Sequence, residues 1–276
     1  MSSVNLLTKL SIATAGAAVI ALGTGNMASA ATIYWTDWIS GTNTNGFTGN
    51  GTITTPTSTI DVTYNNPQNI DFFQPNGGID YWQNERSGRN EATSPYTSES
   101  VDNIPTGTDI IALRWAGEQT LTFSENVANL VFSYISLNGN GYSFTQDFEI
   151  LSFGNSSDGN SCGYWGCGTS FKEVIDLGNG DFEYRLLGTD EPHGTIRFAG
   201  AFRTISWSSL SSELWNGFTV GIEGTAEEIF GSVPVDGSRG EDLASVPEPT
   251  SLMGILGLGA FGVTSFRKRK QQGTVK

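Results

Sequence analysis

Histidine occurs once in this chain, at His193, and cysteine twice. A Ser-His-Asp triad would have to use that one imidazole, and a zinc site would lack its usual ligands. His193 lies in "TDEPHGT", a turn, where an imidazole is expected to face solvent. Cations are scarce as well. Of 14 Lys and Arg, Lys9 lies near the start, and Arg267, Lys268, Arg269, Lys270 and Lys276 lie at the end, which leaves 8 between residues 31 and 246. Of 28 Asp and Glu only Glu248 lies outside that span, so 27 remain and the body carries a formal charge of −19. Such a charge argues against nucleic acid and anionic membrane surfaces as partners. Helix-period segments are missing between Ala31 and Ile222, and Lys, Glu and Ala are sparse there. What is plentiful is Gly, 35 residues, with Thr, Ser and Asn, the usage of an all-β secreted domain with many turns.

The two ends differ from the body. "MSSVNLLTKLSIATAGAAVIALGTGNMASA" carries one charge, Lys9, then the apolar run Leu10 to Leu22. Ala28 and Ala30 supply the small residues that a signal peptidase reads, so residues 1–30 form a secretory signal peptide. At the other end, Ser251 to Phe266 is 16 residues without a charge, followed by Arg267-Lys268-Arg269-Lys270. A relaxed transmembrane helix needs about 20 apolar residues, and this run is shorter and interrupted by small ones. The basic cluster holds residues 271–276 on the cytoplasmic side. The expectation is a temporary membrane insertion.

Pro247-Glu248-Pro249, the apolar run and the basic cluster Arg267 to Lys270 together resemble the PEP-CTERM sorting signal of bacterial surface proteins. The resemblance implies recognition by an exosortase, removal of the tail, and a body placed at the cell surface or released outside. A plain membrane anchor that is never cleaved is the alternative. In the body, "WTDW", "LTFSENVANLVFSYISL", "GTIRFAGAFRTISW" and "WNGFTVGI" resemble domains found upstream of such tails. That likeness carries a fold and no activity.

Strand patterns fill residues 31–223. "STIDVTY" alternates, with Ile60, Val62 and Tyr64 on one face. "DIIALRW" and "QTLTFS" read as neighbours across a hairpin-like break at Ala116-Gly117-Glu118. "NLVFSYISL" is apolar on both faces and reads as a central, doubly covered strand. "YSFTQDFEI" reads as one strand, with Phe144, Phe148 and Ile150 inward and Thr145, Asp147 and Glu149 outward. Gly200 in "RFAGAF" marks a bulge. The fold expected is all-β, an antiparallel β-sandwich, jelly-roll-like. Asn65 to Thr108 is a long polar loop, and a loop of that length is usually functional or mobile. Residues 224–246 read as a flexible acidic linker, ahead of the sorting signal at 247–270.

Cys162 and Cys167 in "CGYWGC" are expected to form a disulfide in an oxidising compartment, closing a small loop. Tyr164 and Trp165 fall at its tip, and Tyr81 and Trp82 in the long loop. These four are the candidate glycan contacts, because sugar rings stack on aromatic faces while Asn and Asp bond their hydroxyls. Trp35 and Trp38 form a third aromatic candidate. Asp147 and Glu149, two apart on a strand, would be about 7 Å apart, a spacing a glycosidase could use. A solvated outer face fits them better. "GNSSDGNS" (Gly154 to Ser161) and "GNGD" (Gly178 to Asp181) are oxygen-rich turns that leave calcium possible but lack EF-hand spacing. No cofactor and no catalytic residue is assigned. The expected role is a non-enzymatic component of the cell exterior, associated with extracellular polysaccharide. The alternatives are a carbohydrate-binding domain and, behind it, a glycosidase.

Overall fold

The computed structural model describes residues 30–155 and 159–231. The signal peptide with Ala28, most of the acidic linker, and the sorting signal with Pro247, Glu248, Pro249 and Arg267 to Lys270 lie outside the described residues. Among the described residues, no helix is long and apolar enough to cross a membrane.

The strands are β1 (Tyr34–Trp35), β2 (Asp37–Thr42), β3 (Phe47–Thr54), β4 (Thr59–Asn66), β5 (Phe72–Gln74), β6 (Ile110–Leu113) and β7 (Gly117–Ile135). They continue as β8 (Gly141–Phe144), β9 (Glu149–Phe153), β10 (Gly168–Gly178), β11 (Asp181–Asp190), β12 (Gly194–Ser209), β13 (Asn216–Ile222) and β14 (Gly224–Thr225), followed by helix α1 (Ala226–Phe230). All pairings between them are antiparallel.

Two long strands turn one sheet into a sandwich. The first half of β7 pairs with β4 and with the second half of β12, and it extends a layer through β8, β11 and β10 on one side and β3 and β2 on the other. The second half of β7 pairs with the first half of β12 and with β13, in a layer completed by β9, β6 and β5. The corner sits where the β7–β12 register slips, between Phe198 and Ala201. Gly200 there has φ +112°, and across from it Asn129 has φ 49° and accepts from the Gly200 N–H. The expected bulge is the hinge of the sandwich.

The core lies between the layers. Phe132 of β7 stacks on Phe218 of β13, with ring centroids 4.9 Å apart. It meets Trp207 of β12 edge to face at 5.3 Å, and Tyr64 of β4 packs on both Trp207 and Phe218. Each fully buried ring of this kind contributes about 2–3 kcal/mol of apolar burial.

The burial pattern follows the sequence pattern. Thr59–Asn66 alternates with Ile60, Val62 and Tyr64 buried. In β7 the first half alternates, and Leu130 to Ile135 is buried on both faces. Leu130, Phe132 and Tyr134 enter the main core. Val131 and Ile135 face the other way, into two smaller clusters built by residues 31–35 and 81–104. The long loop is therefore a third layer. It is fastened by Thr195 Oγ1 donating to the Tyr96 carbonyl (3.1 Å), Ser152 Oγ to the Pro95 carbonyl (2.7 Å) and Ala31 N–H to the Ser100 carbonyl (3.0 Å).

Three expectations are corrected. "YSFTQDFEI" is two strands, β8 and β9, with residues 145–148 between them, because the chain leaves one layer for the other. The break at 114–116 joins no hairpin: β6 pairs with β5 and β13, and the chain changes layer there too. The domain also runs past 223. Gly224 and Thr225 pair with Ala128 and Val127 of β7. Thr225 and Glu228 then form a capping box that starts α1, and Glu228 accepts from the Thr55 (2.8 Å) and Thr57 hydroxyls.

Candidate functional site

The Cys162–Cys167 disulfide is present. Inside it Gly163 and Gly166 exchange both backbone hydrogen bonds (3.0 and 3.2 Å), so the loop is a tight hairpin with Tyr164 and Trp165 at the tip. The hairpin stands on His193. A Cβ on Gly163 would overlap the imidazole, which only glycine avoids. His193 is fully buried, against the solvent-facing turn expected. Burial holds its pKa at about 3, so the ring is neutral at ordinary pH. Its Nδ1 meets the Tyr96 hydroxyl at 3.3 Å.

Around the hairpin tip lies a continuous aromatic cluster. Tyr81 packs edge-on against Tyr164 (5.1 Å) and Trp215 (5.2 Å). Tyr164 meets Trp165 at 4.9 Å, Trp165 meets Trp215 at 6.0 Å, and Phe72 closes the group against Trp215 at 5.5 Å. Arg86 covers the tip. Its guanidinium carbon lies 4.3 Å from the Trp165 centroid and 4.7 Å from that of Tyr164, and its Nε donates to the Tyr164 carbonyl at 3.1 Å. Glu85 and Arg86 both take positive φ, 51° and 61°, which aims the arginine at the hairpin. Glu85 accepts from the Cys162 N–H at 3.3 Å. Behind them Arg89 grips both oxygens of Asp80 (2.8 and 2.9 Å) and reaches the Pro105 and Gly107 carbonyls, which stiffens the loop.

The four candidate aromatics separate by burial. Trp165 is 40 % exposed and Tyr164 is half-buried. Tyr81 is buried beneath them and offers an edge. Trp82 has no exposed surface, which removes it as a glycan contact: it plugs the cap, donating Nε1–H to the Asp109 carbonyl (3.1 Å) and meeting Tyr96 edge-on. Trp35 and Trp38 are core residues for the same reason. Trp215 and Phe72 were not singled out by the sequence. "SELWNGF" shows Trp215 only as the start of a strand, and its place beside Trp165 is a tertiary fact.

Asp147 and Glu149 do not share a strand. Asp147 lies in the break before β9, bound to Lys172 Nζ at 2.8 Å, and Glu149 binds Arg197 at 2.9 Å. Both rim a groove of about 670 Å³ floored by Phe148, Ile150 and Phe202. A cation already engages each carboxylate. "GNSCG", Gly159 to Gly163, has nucleophile-elbow spacing, but its serine enters a β-hairpin rather than a strand-to-helix turn. Ser161 Oγ faces Thr93 Oγ1 at 3.3 Å, and the His193 Nδ1 faces Tyr96. "GNGD" is the β10–β11 turn, with Asn179 and Gly180 at φ 59° and 91°. Within "GNSSDGNS", residues 156–158 lie outside the described residues. Among the described residues no group of three or more His, Cys, Asp or Glu side chains is placed to hold a metal.

No curated protein and no solved structure matches the chain. Residues 245–270 match the family model of the PEP-CTERM protein-sorting motif. Such signals are generally processed by an exosortase and direct a protein to the cell surface or beyond. The chain thus carries a PEP-CTERM protein-sorting motif behind an all-β body, and such a motif implies, in general, export to the cell surface or exterior.

Proposed function

We propose that the exported sandwich is a non-catalytic protein that associates with extracellular polysaccharide through the hairpin tip at Trp165. The observation that carries this reading is the way Trp165 is held. A large ring stays 40 % exposed on a disulfide-closed hairpin, wedged between Arg86 and Trp215. A rigid exposed aromatic beside hydrogen-bonding groups is what a sugar ring needs, since stacking requires no change of shape and little lost side-chain entropy. Gln83 and Ser87 lie in the same loop as Arg86. The non-catalytic reading is supported by the ion pairs that Asp147 makes with Lys172 and Glu149 with Arg197.

The test is retention of the exported protein on polysaccharide from its own cell surface. Trp165→Ala removes a stacking contact on the order of 1 kcal/mol, so retention is expected to fall about fivefold. The melting temperature should stay within a few degrees, because Trp165 fills no core site. Unchanged retention would discard the platform, and release of reducing sugar from the polysaccharide by the purified protein would discard the non-catalytic reading.

A further inference from the structure

At the end of the sheet opposite β2, β10 is an edge strand: among the described residues its only strand partner is β11. It is 11 residues long and has no proline. Natural edge strands are usually short, bent or guarded by charge, because an open ladder invites pairing with another chain. Here the edge is long and partly apolar. Phe171 is 45 % exposed and Val174 51 %, and Leu177 and, on β11, Phe182 are exposed too. The register with β11 is regular from Gly168 to Asp176 and slips only at the tip, between Asp176 and Gly178.

The charges on this strand select a partner. A two-fold axis normal to the sheet keeps each copy's faces on the same side, so β10 pairs with a second β10 only in registers centred on one residue. Centring on Lys172, Glu173 or Asp176 sets that charge against itself. Centring on Ile175 leaves Lys172 opposite Gly178 and Asp176 opposite Val174. Centring on Val174 sets Lys172 opposite Asp176 twice, Glu173 opposite Ile175 twice, and Val174 against Val174. That register alone joins opposite charges and sets no like charges against each other. In a body of net charge −19, Lys172 is also one of 8 cations. Within one copy its Nζ holds exposed Asp147 at 2.8 Å and the Phe148 carbonyl at 2.9 Å, so pairing with Asp176 of a second copy shares or exchanges that surface ion pair.

We propose that β10 is a self-association edge: two copies of this chain pair antiparallel through Lys172–Asp176, centred on Val174, and join two sandwiches into one continuous sheet. The contact covers Val174 and brings Phe171 and Leu177 of facing strands together. It lies on β10, not on the Trp165 hairpin, so a dimer presents two such hairpins and gains retention on a repeating polymer by avidity.

The register gives the test. Directly opposed residues of an antiparallel pair have Cα atoms about 4.5–5.5 Å apart, within disulfide range, whereas residues offset by two positions are not. The native Cys162 and Cys167 are already bonded to each other. In the exported protein under mild oxidation, Val174→Cys should give a covalent dimer. Glu173→Cys and Ile175→Cys should each give no covalent dimer alone, and should cross-link when the two variants are mixed. Asp176→Lys sets lysine opposite Lys172 and should shift light-scattering mass from dimer to monomer. A wild-type protein that is monomeric at about 100 µM overturns the proposal. So does a dimer in which Val174→Cys cross-links no faster than Ile175→Cys, since that dimer uses another surface.

Discussion

Gly163 and His193 fit together as floor and post: the imidazole fills the space a side chain on Gly163 would take. The glycine has ordinary φ, so its requirement is room and not backbone freedom. The Trp165 hairpin thus takes its height and tilt from a buried histidine.

Gly163→Ala is expected to destabilise the domain by about 1–3 kcal/mol, since the imidazole is locked against Tyr96 and cannot retreat. It should also lift the hairpin and part Trp165 from Arg86. Near-ultraviolet circular dichroism should report the loosened aromatics, and polysaccharide retention should fall even below the melting transition. A variant with normal stability and an unchanged aromatic spectrum would show that the hairpin does not rest on His193.

Two buried groups give stability an opposed pH dependence. His193 is held at about 3 against an ordinary 6.5, by burial. Between those values the unfolded chain binds a proton that the native chain does not, so stability falls as pH drops from about 6.5 toward 3. Glu213 is raised to about 8 from 4.5, first by burial and then by the charge of Glu191, against the opposing hydrogen bonds from Asn216 and the Asn138 backbone. The native chain then holds a proton that the unfolded chain releases, so stability falls as pH rises from about 4.5 to 8. Glu213→Gln keeps the acceptor for Asn216 and removes the titration. Its melting temperature should exceed that of the wild type at pH 8 and match it near pH 4.5. The native imidazole should show no titration by NMR between pH 8 and 4.

The sequence disclosed what depends on neighbours along the chain. The alternation of Ile60, Val62 and Tyr64, the two-sided burial of Leu130 to Ile135 and the bulge at Gly200 are local patterns, and they appear as read. What stayed hidden depends on layers crossing. Trp82 sits among polar residues and looks free, yet it covers Ile110 and Ile135 from the outer side of a sheet. His193 looks like a turn residue because the hairpin that buries it comes 26 to 31 residues earlier in the chain. β10 escaped because exposure on both faces leaves no alternation to read, although the Asn179-Gly180 turn that ends it is a strong hairpin signal. At the site, Tyr164 and Trp165 were legible from "CGYWGC", whereas their contacts with Arg86, Tyr81 and Trp215 join three separate segments.

The disulfide should matter more to the site than to the fold. Closing so short a loop lowers the entropy of the unfolded chain by about 2 kcal/mol. For a domain of this size that is about 4–8 °C in melting temperature. Two backbone bonds between Gly163 and Gly166 and the support of His193 remain when the bridge is removed. The tip itself is held only by surface contacts: Trp165 is exposed and rests between Arg86 and the edge of Trp215, and Arg86 adds one hydrogen bond to the Tyr164 carbonyl. In a Cys162→Ser, Cys167→Ser double variant, measured well below the melting point, the fold should therefore persist while the tip loosens. Polysaccharide retention should fall several-fold at a temperature where circular dichroism shows the protein fully folded. If the melting temperature dropped by 15 °C or more, the bridge would be holding the cap rather than the tip. If retention stayed intact in a folded variant, rigidity of Trp165 would not be what the polymer recognises.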